Sequence, residues 1–233
     1  MDWFLSNSGM VMERAGQHLV LSVIPMVLGL VLSVPLAQLA RMNTTLRSVV
    51  LTASSLLYTI PSLALFIILP PLLGTRILDP LNVIVALTLY AVALLVRAAL
   101  DAFDSVDEDL RQAAVAMGYK PWLRFLHIDL PLSLPVMFAG LRVVSVSNIS
   151  LVSVAALLGV GNLGMLFTDG LQRTFVTEVV VGIVAILVLA LLMDGVLVLL
   201  ERLLTPWTRG AKAPAQPGRQ DAAGLPLAVE TTR

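Results

Sequence analysis

The sequence predicts an all-α polytopic membrane protein of about five transmembrane helices, and three observations carry that prediction. Apolar residues make up 58% of the 233-residue chain against 13% charged, and mean hydropathy is +0.93. Soluble domains carry roughly 25% charged residues. The apolar residues gather into long uncharged runs, each able to cross a hydrocarbon core of roughly 30 Å at about 1.5 Å per residue. Between two of these runs lies a short, densely charged stretch over residues 101–131. A net charge of zero removes any general electrostatic case for nucleic acid, and the absence of Cys removes disulfides and thiolate metal sites.

Residues 1–17 are mixed in polarity and are expected as a separate interfacial segment, with Trp3 at headgroup depth. They do not resemble a secretory leader, because the first basic residue is Arg14 and the apolar run that follows is too long. Residues 18–204 are expected to form the transmembrane domain. Leu19–Ala40 is uncharged and gives the first span, kinked by Pro25 and Pro35. The second is expected over 48–69, with a break at Pro70 and Pro71. Leu81–Val96 is the third, ending at Arg97. The fourth starts at Val143 and ends near Leu158, where Gly159, Gly161 and Gly164 turn the chain. The last runs over 179–200. From 205 to 233, four prolines among small and polar residues predict a disordered tail.

Five crossings put the termini on opposite sides. Ten of the 15 Lys and Arg fall on the side of the 101–131 loop and the C-terminal tail. Only Arg14, Arg76 and Arg173 fall on the other, with Arg97 and Arg142 near span ends. The positive-inside tendency then predicts the N-terminus outside, with the loop and the C-terminus in the cytoplasm.

The loop reads as two short helices and a bend. Asp107 can cap the first, with Glu108 and Asp109 in its opening turn, where the helix dipole favours negative charge. Gly118 stands where a C-terminal glycine would end it, and Pro121 suits the first position of the next. Its spacing is Gln112-Ala113-Ala114, then Gly118 after three residues, then Ile128, Leu130 and Pro131 after nine more.

Elsewhere, polar groups within the spans are the candidates for a translocation path or gate. Asp194 is a carboxylate in an apolar run. It either pairs structurally with Arg142 or Asn148, or serves the path. Ser145, Ser147, Asn148, Ser150 and Ser153 lie on one span, with Ser145 and Ser153 read as sharing a face. They either line a path or hold helices together. Pro61 breaks the second span after Tyr58, and Tyr58 and Tyr90 either pack or meet a quaternary ammonium through cation–π attraction. Gly159–Gly164 lacks the Lys of a phosphate loop, His18 and His127 have no metal-site spacing, and no nucleophile–base–acid set assembles. No catalytic, cofactor-binding or metal-binding residue is therefore expected.

The loop spacing resembles the E-A-A-x3-G-x9-I-x-L-P pattern of permease subunits of ATP-binding-cassette importers. Six of its seven positions match, with Gln112 in place of glutamate. The resemblance implies that Ala113, Ala114 and Gly118 are small so that the helix can enter a cleft on an ATPase subunit. Tyr119, Lys120, Pro121 and Trp122 would form the contact tip. Further stretches resemble the osmoprotectant branch of these type I permeases, which import glycine betaine, choline, carnitine or proline betaine. They are Tyr58–Leu65, Leu94–Arg97, Gly118–Trp122, Leu130–Pro135, Gly159–Gly164, Asp169–Gln172 and Leu200–Arg202. Where relatives tend to have two adjacent glycines, this chain has Gly161-Asn162. The implied partners are cytoplasmic ATPases that bind the ATP, a second permease subunit and an extracytoplasmic binding protein, in a bacterial-type cell membrane. A permease for another small solute such as an amino acid, and a stand-alone channel or carrier, are the alternatives.

Overall fold

The computed structural model describes residues 2–210, and among them the regular structure is helical. The first helix, α1 (Asp2–Ala40), runs on through Pro25 and Pro35. Its 39 residues extend about 58 Å, nearly twice a hydrocarbon core. The interfacial segment expected over 1–17 is thus, from Asp2 onward, the leading part of α1. Packing explains the difference. Val11 sits with Leu163 and Leu166, flanked by Trp3, Phe4 and Met10, and the Trp3 ring meets Phe175 edge-on at 5.9 Å.

The second helix, α2 (Thr44–Thr59), starts at Asn43, whose side chain accepts the Thr45 N–H at 2.8 Å. α3 (Ser62–Leu73) leaves it at 100°. The break expected at Pro61 is present, whereas the one expected at Pro70 and Pro71 is not: α3 continues to Gly74 in left-handed backbone at φ 68°. Pro61 forces Ile60 into extended backbone at ψ 129°. The Tyr90 O–H then donates to the Ile60 carbonyl at 2.5 Å. Pro70 and Pro71 lack donors, but their fixed φ suits a helix, and Gly74 stops the chain just beyond.

The third span is α4 (Pro80–Asp104), capped by the Asp79 side chain and continuing well past Arg97, where the sequence had ended it. α5 (Glu108–Ala116) and α6 (Pro121–Arg124) form the charged loop. A π-helical turn, Phe125–Asp129, joins α6 to α7 (Leu130–Val154) without a break. Arg142, expected near a span end, thus lies at the middle of one. A short 3-10 turn (Ala155–Leu158) ends at Gly159, φ 84°, and is followed by α8 (Met165–Gln172) and α9 (Val176–Leu204). The disordered tail expected from 205 begins with a buried Thr205 and a 3-10 turn over Pro206–Gly210. Its remainder lies outside the described residues.

Contacts fix the sidedness of the bundle. Arg47 reaches Asp104 at 2.6 Å, so α2 begins where α4 ends. α4 therefore starts at the far end, and the bent pair α2–α3 carries the chain across. Helices α1, α4, α7 and α9 are each long and apolar enough to span, which makes four crossings, or five with the bent pair counted as one. The turn after α7 lies against α1, since a Cβ on Gly161 would meet Gln17. The N-terminus and the 159–164 turn thus share one end, and the 105–129 loop occupies the other.

Helix α4 is the core element, with Leu87, Leu95, Leu100 and Phe103 fully buried along it. It approaches α1 so closely that a Cβ on Gly29 would lie 2.5 Å from the Ala91 Cβ. With lipid outside, such small-residue contacts give helices close van der Waals packing. Gly29→Val is expected to overpack this contact by about 1–3 kcal/mol. Thermal unfolding in detergent should register the loss, and an unchanged midpoint would show that the helices can separate freely.

Candidate functional site

The charged loop folds as a stiff projection. The Asp107 side chain accepts the Asp109 N–H at 2.9 Å and starts α5, with Glu108 and Asp109 in its first turn. At the other end Gly118 takes φ 84°. Its N–H donates to the Val115 carbonyl at 2.9 Å and the Tyr119 N–H to Ala114 at 3.1 Å, which closes the helix. Pro121 then opens α6.

Of the residues singled out by spacing, Gln112, Ala113, Gly118, Tyr119, Lys120 and Pro121 are exposed. Ala114 is fully buried and seats the helix on the body rather than presenting a contact. Ile128, Leu130 and Pro131 are half-buried at the junction with α7. Around the exposed set stand large apolar side chains, with Val115, Met117 and Trp122 between 56% and 69% exposed. Large apolar side chains thus stand exposed beside charged groups at this end of the bundle, the kind of patch that occurs at protein contacts.

An ion-pair cluster that the sequence did not reveal holds this projection down. Asp129 is 1% exposed, and its Oδ1 receives the Arg111 Nε at 2.8 Å. Arg111 also pairs with Glu108 at 3.1 Å and donates to the Phe103 carbonyl. Burial works against the charged form of Arg111, yet the bonds to Asp129 and Glu108 prevail, so its pKa is raised. Arg124 stands 3.6 Å from Asp129 Oδ2. Phe103 meets Phe125 edge-on at 5.5 Å, and the Arg41 guanidinium lies 5.3 Å from the centre of the Phe103 ring. Arg111 and Asp129 thus tie the end of α4, α5, α6 and the π-helical turn before α7 together.

The candidate path residues do not converge. Tyr58 and Tyr90 meet edge-on at 5.7 Å beside the Pro61 bend, with Tyr90 buried, so they pack against each other rather than offering two open faces. Ser145 and Asn148 are buried, and Asn148 donates to the Ser22 carbonyl at 3.3 Å. His18 lies in the same seam, its Nε2 2.9 Å from the Ile149 carbonyl. Ser145 and Ser153 do not share a face, because an eight-residue interval turns a helix by about 80°.

Ser153 and Asp194 line the α7–α9 face instead. Asp194 pairs with Arg142 through two parallel bonds, Nε to Oδ1 at 2.6 Å and an Nη to Oδ2 at 2.8 Å. The pair opens onto a groove of about 500 Å³ with Ala139, Val143, Val146 and Ser147. Val146 is shared with a second groove of about 360 Å³, which Ser150, Ser153, Phe167 and residues of α9 complete. Of these, Arg142 as a path residue and Phe167 went unforeseen. At Gly161-Asn162 the Asn162 side chain braces the turn, accepting the Gly164 N–H at 2.6 Å and donating to the Val160 carbonyl at 2.8 Å.

Residues 27–206 match the family described as binding-protein-dependent transport system inner membrane component. The chain is 34% identical over 206 residues to the osmoprotectant import permease protein OsmW of Salmonella typhimurium, covering 88% of this chain and 96% of that one. It is 30% identical over 207 residues to the glycine betaine/carnitine/choline transport system permease protein OpuCB of Bacillus subtilis, covering 88% and 94%. Among solved structures it is similar to an inward-facing MetNI methionine ABC transporter, with a TM-score of 0.75 at 20% identity over 85% of this chain and 97% of that one.

Proposed function

From the premise that the chain belongs to the family of binding-protein-dependent inner membrane transport components, we propose that it is the non-catalytic, membrane-spanning subunit of an ATP-driven osmoprotectant importer. The solute is a small molecule of the glycine betaine, choline or carnitine type. The observation that carries the reading is the rigid apolar-tipped projection over 108–124, continuous through a π-helical turn with the spanning helix α7. The solute class rests on the likeness to an osmoprotectant permease over 96% of that relative's length.

In this reading the projection faces the cytoplasm, in keeping with the Lys and Arg excess at that end, and the N-terminus faces outside. Two permease subunits, two copies or this chain with a paralogue, enclose the path. Each projection seats in a cytoplasmic ATPase, which binds the ATP, while an extracytoplasmic binding protein delivers solute to the outer end. Gln112 offers hydrogen bonds where the family pattern has a charged glutamate. Closure of the ATPases pushes the projection, and the unbroken helix from α6 into α7 passes the displacement to a bundle with two packings.

Vesicles holding the permease with its ATPase, supplied with binding protein, are expected to accumulate labelled glycine betaine only when ATP is present. Uphill uptake with the ATPase left out would make the chain a self-powered carrier and end this reading.

A further inference from the structure

Arg142 lies 12 residues into α7, about 18 Å from its start, so the Arg142–Asp194 pair sits near mid-bilayer. Charges there are costly against lipid and are found facing protein or a water-filled cavity. The two side chains are nevertheless 41% and 33% exposed within the single chain. They border an open, shallow groove of about 500 Å³ on the face of the single chain. Ser147, Ser150 and Ser153 continue the polar line along α7 towards the outer end. Because the pair satisfies itself within one chain, it presents no unpaired charge to a neighbouring subunit. What it can do is exchange partners with a solute that brings both signs.

We propose that Arg142 and Asp194 form a zwitterion subsite in the permease, which takes the carboxylate of a betaine on Arg142 and its quaternary ammonium on Asp194. This deepens the importer reading and rests on it. A solute with only one charge that opened the pair would leave either Arg142 or Asp194 without its partner, and an uncompensated charge at this depth is costly. A betaine replaces both partners at once, and its two charges are separated by a single methylene. Arg142 contributes the planar fork that matches a carboxylate. Asp194 meets a trimethylammonium, which donates no ordinary N–H hydrogen bond, through charge alone. The permease thus adds its own discrimination to that of the binding protein, favouring zwitterions over plain cations.

The test is ATP-driven uptake by the complete assembly in vesicles, comparing glycine betaine, a zwitterion, with choline, a cation. Arg142→Lys keeps the charge but loses the fork, and is expected to lower kcat/KM for glycine betaine relative to choline by about fivefold or more. Asp194→Asn leaves choline facing an unpaired Arg142, and is expected to move the same ratio about tenfold the other way. Shifts in opposite directions are something a merely structural pair would not give. Equal losses for both solutes in both variants would overturn the subsite. A wild-type assembly that moved neither solute would instead sink the importer reading, and the subsite with it.

Discussion

Gly118→Trp is expected to strip the ATPase subunit from the purified complex while leaving the permease folded in the membrane. The position lies outside the spans, and a Cβ there would meet nothing within 4 Å, so the indole has open space on the free permease. In the proposed importer that space is the volume an ATPase fills when it receives Gln112, Ala113 and Tyr119. An overlap costing about 3 kcal/mol cuts association roughly a hundredfold, enough to lose co-purification at ordinary concentrations. Backbone strain is the competing explanation, because φ is 84° and side chains other than glycine rarely adopt it. Gly118→Asn separates the two, since asparagine tolerates left-handed backbone and adds little bulk. The asparagine variant should keep most of the bound ATPase. Retention of the ATPase at the wild-type level by the tryptophan variant would show that this tip does not enter a cleft.

The projection was legible in the sequence because every signal for it is local. A capping Asp107, a closing Gly118 and an opening Pro121 each act within a few residues, and each takes its expected place. What holds the projection was not legible. Arg111 and Asp129 are 18 residues apart across a bend, and nothing in their spacing foretells that they meet. Span limits failed for a related reason. Charge marked the ends of runs at Arg97 and before Val143, but helices stop where capping and packing stop them, so α4 runs on to Asp104 and α7 starts at Leu130. Arg142 could then lie in mid-span because Asp194 on a helix 52 residues away neutralises it. The sequence had named that partner but could not say that their pairing faces a groove. The serines of α7 show the limit most plainly. Their chemistry is identical, and only the packing of α1 and α9 decides that Ser145 is core while Ser153 lines an opening.

Asp129→Ala is expected to uncouple the machine without dismantling the bundle. The carboxylate is 1% exposed, and the Arg111 side chain that it neutralises is 12% exposed. Removing the carboxylate leaves Arg111 with only the exposed Glu108 as a charge partner, and costs up to about 3 kcal/mol. The loss falls where α5 is tied to α7, so α5 should loosen first. Amide exchange over residues 108–116 should accelerate by roughly a hundredfold for each 2.8 kcal/mol of local stability lost, while α4 keeps its protection. In the proposed importer the ATPase can still find the exposed tip, but its stroke then moves a loosened element. ATP hydrolysis should therefore continue, with uptake falling much further than hydrolysis. Removing both charges, with Arg111→Met and Asp129→Leu together, separates the roles of charge and stiffness, because apolar side chains of similar volume can replace a buried ion pair at little cost in stability. That double variant is expected to regain most of the amide protection and, with it, coupled uptake. If protection returned and transport did not, the carboxylate itself would have a part in transmission beyond holding two helices together.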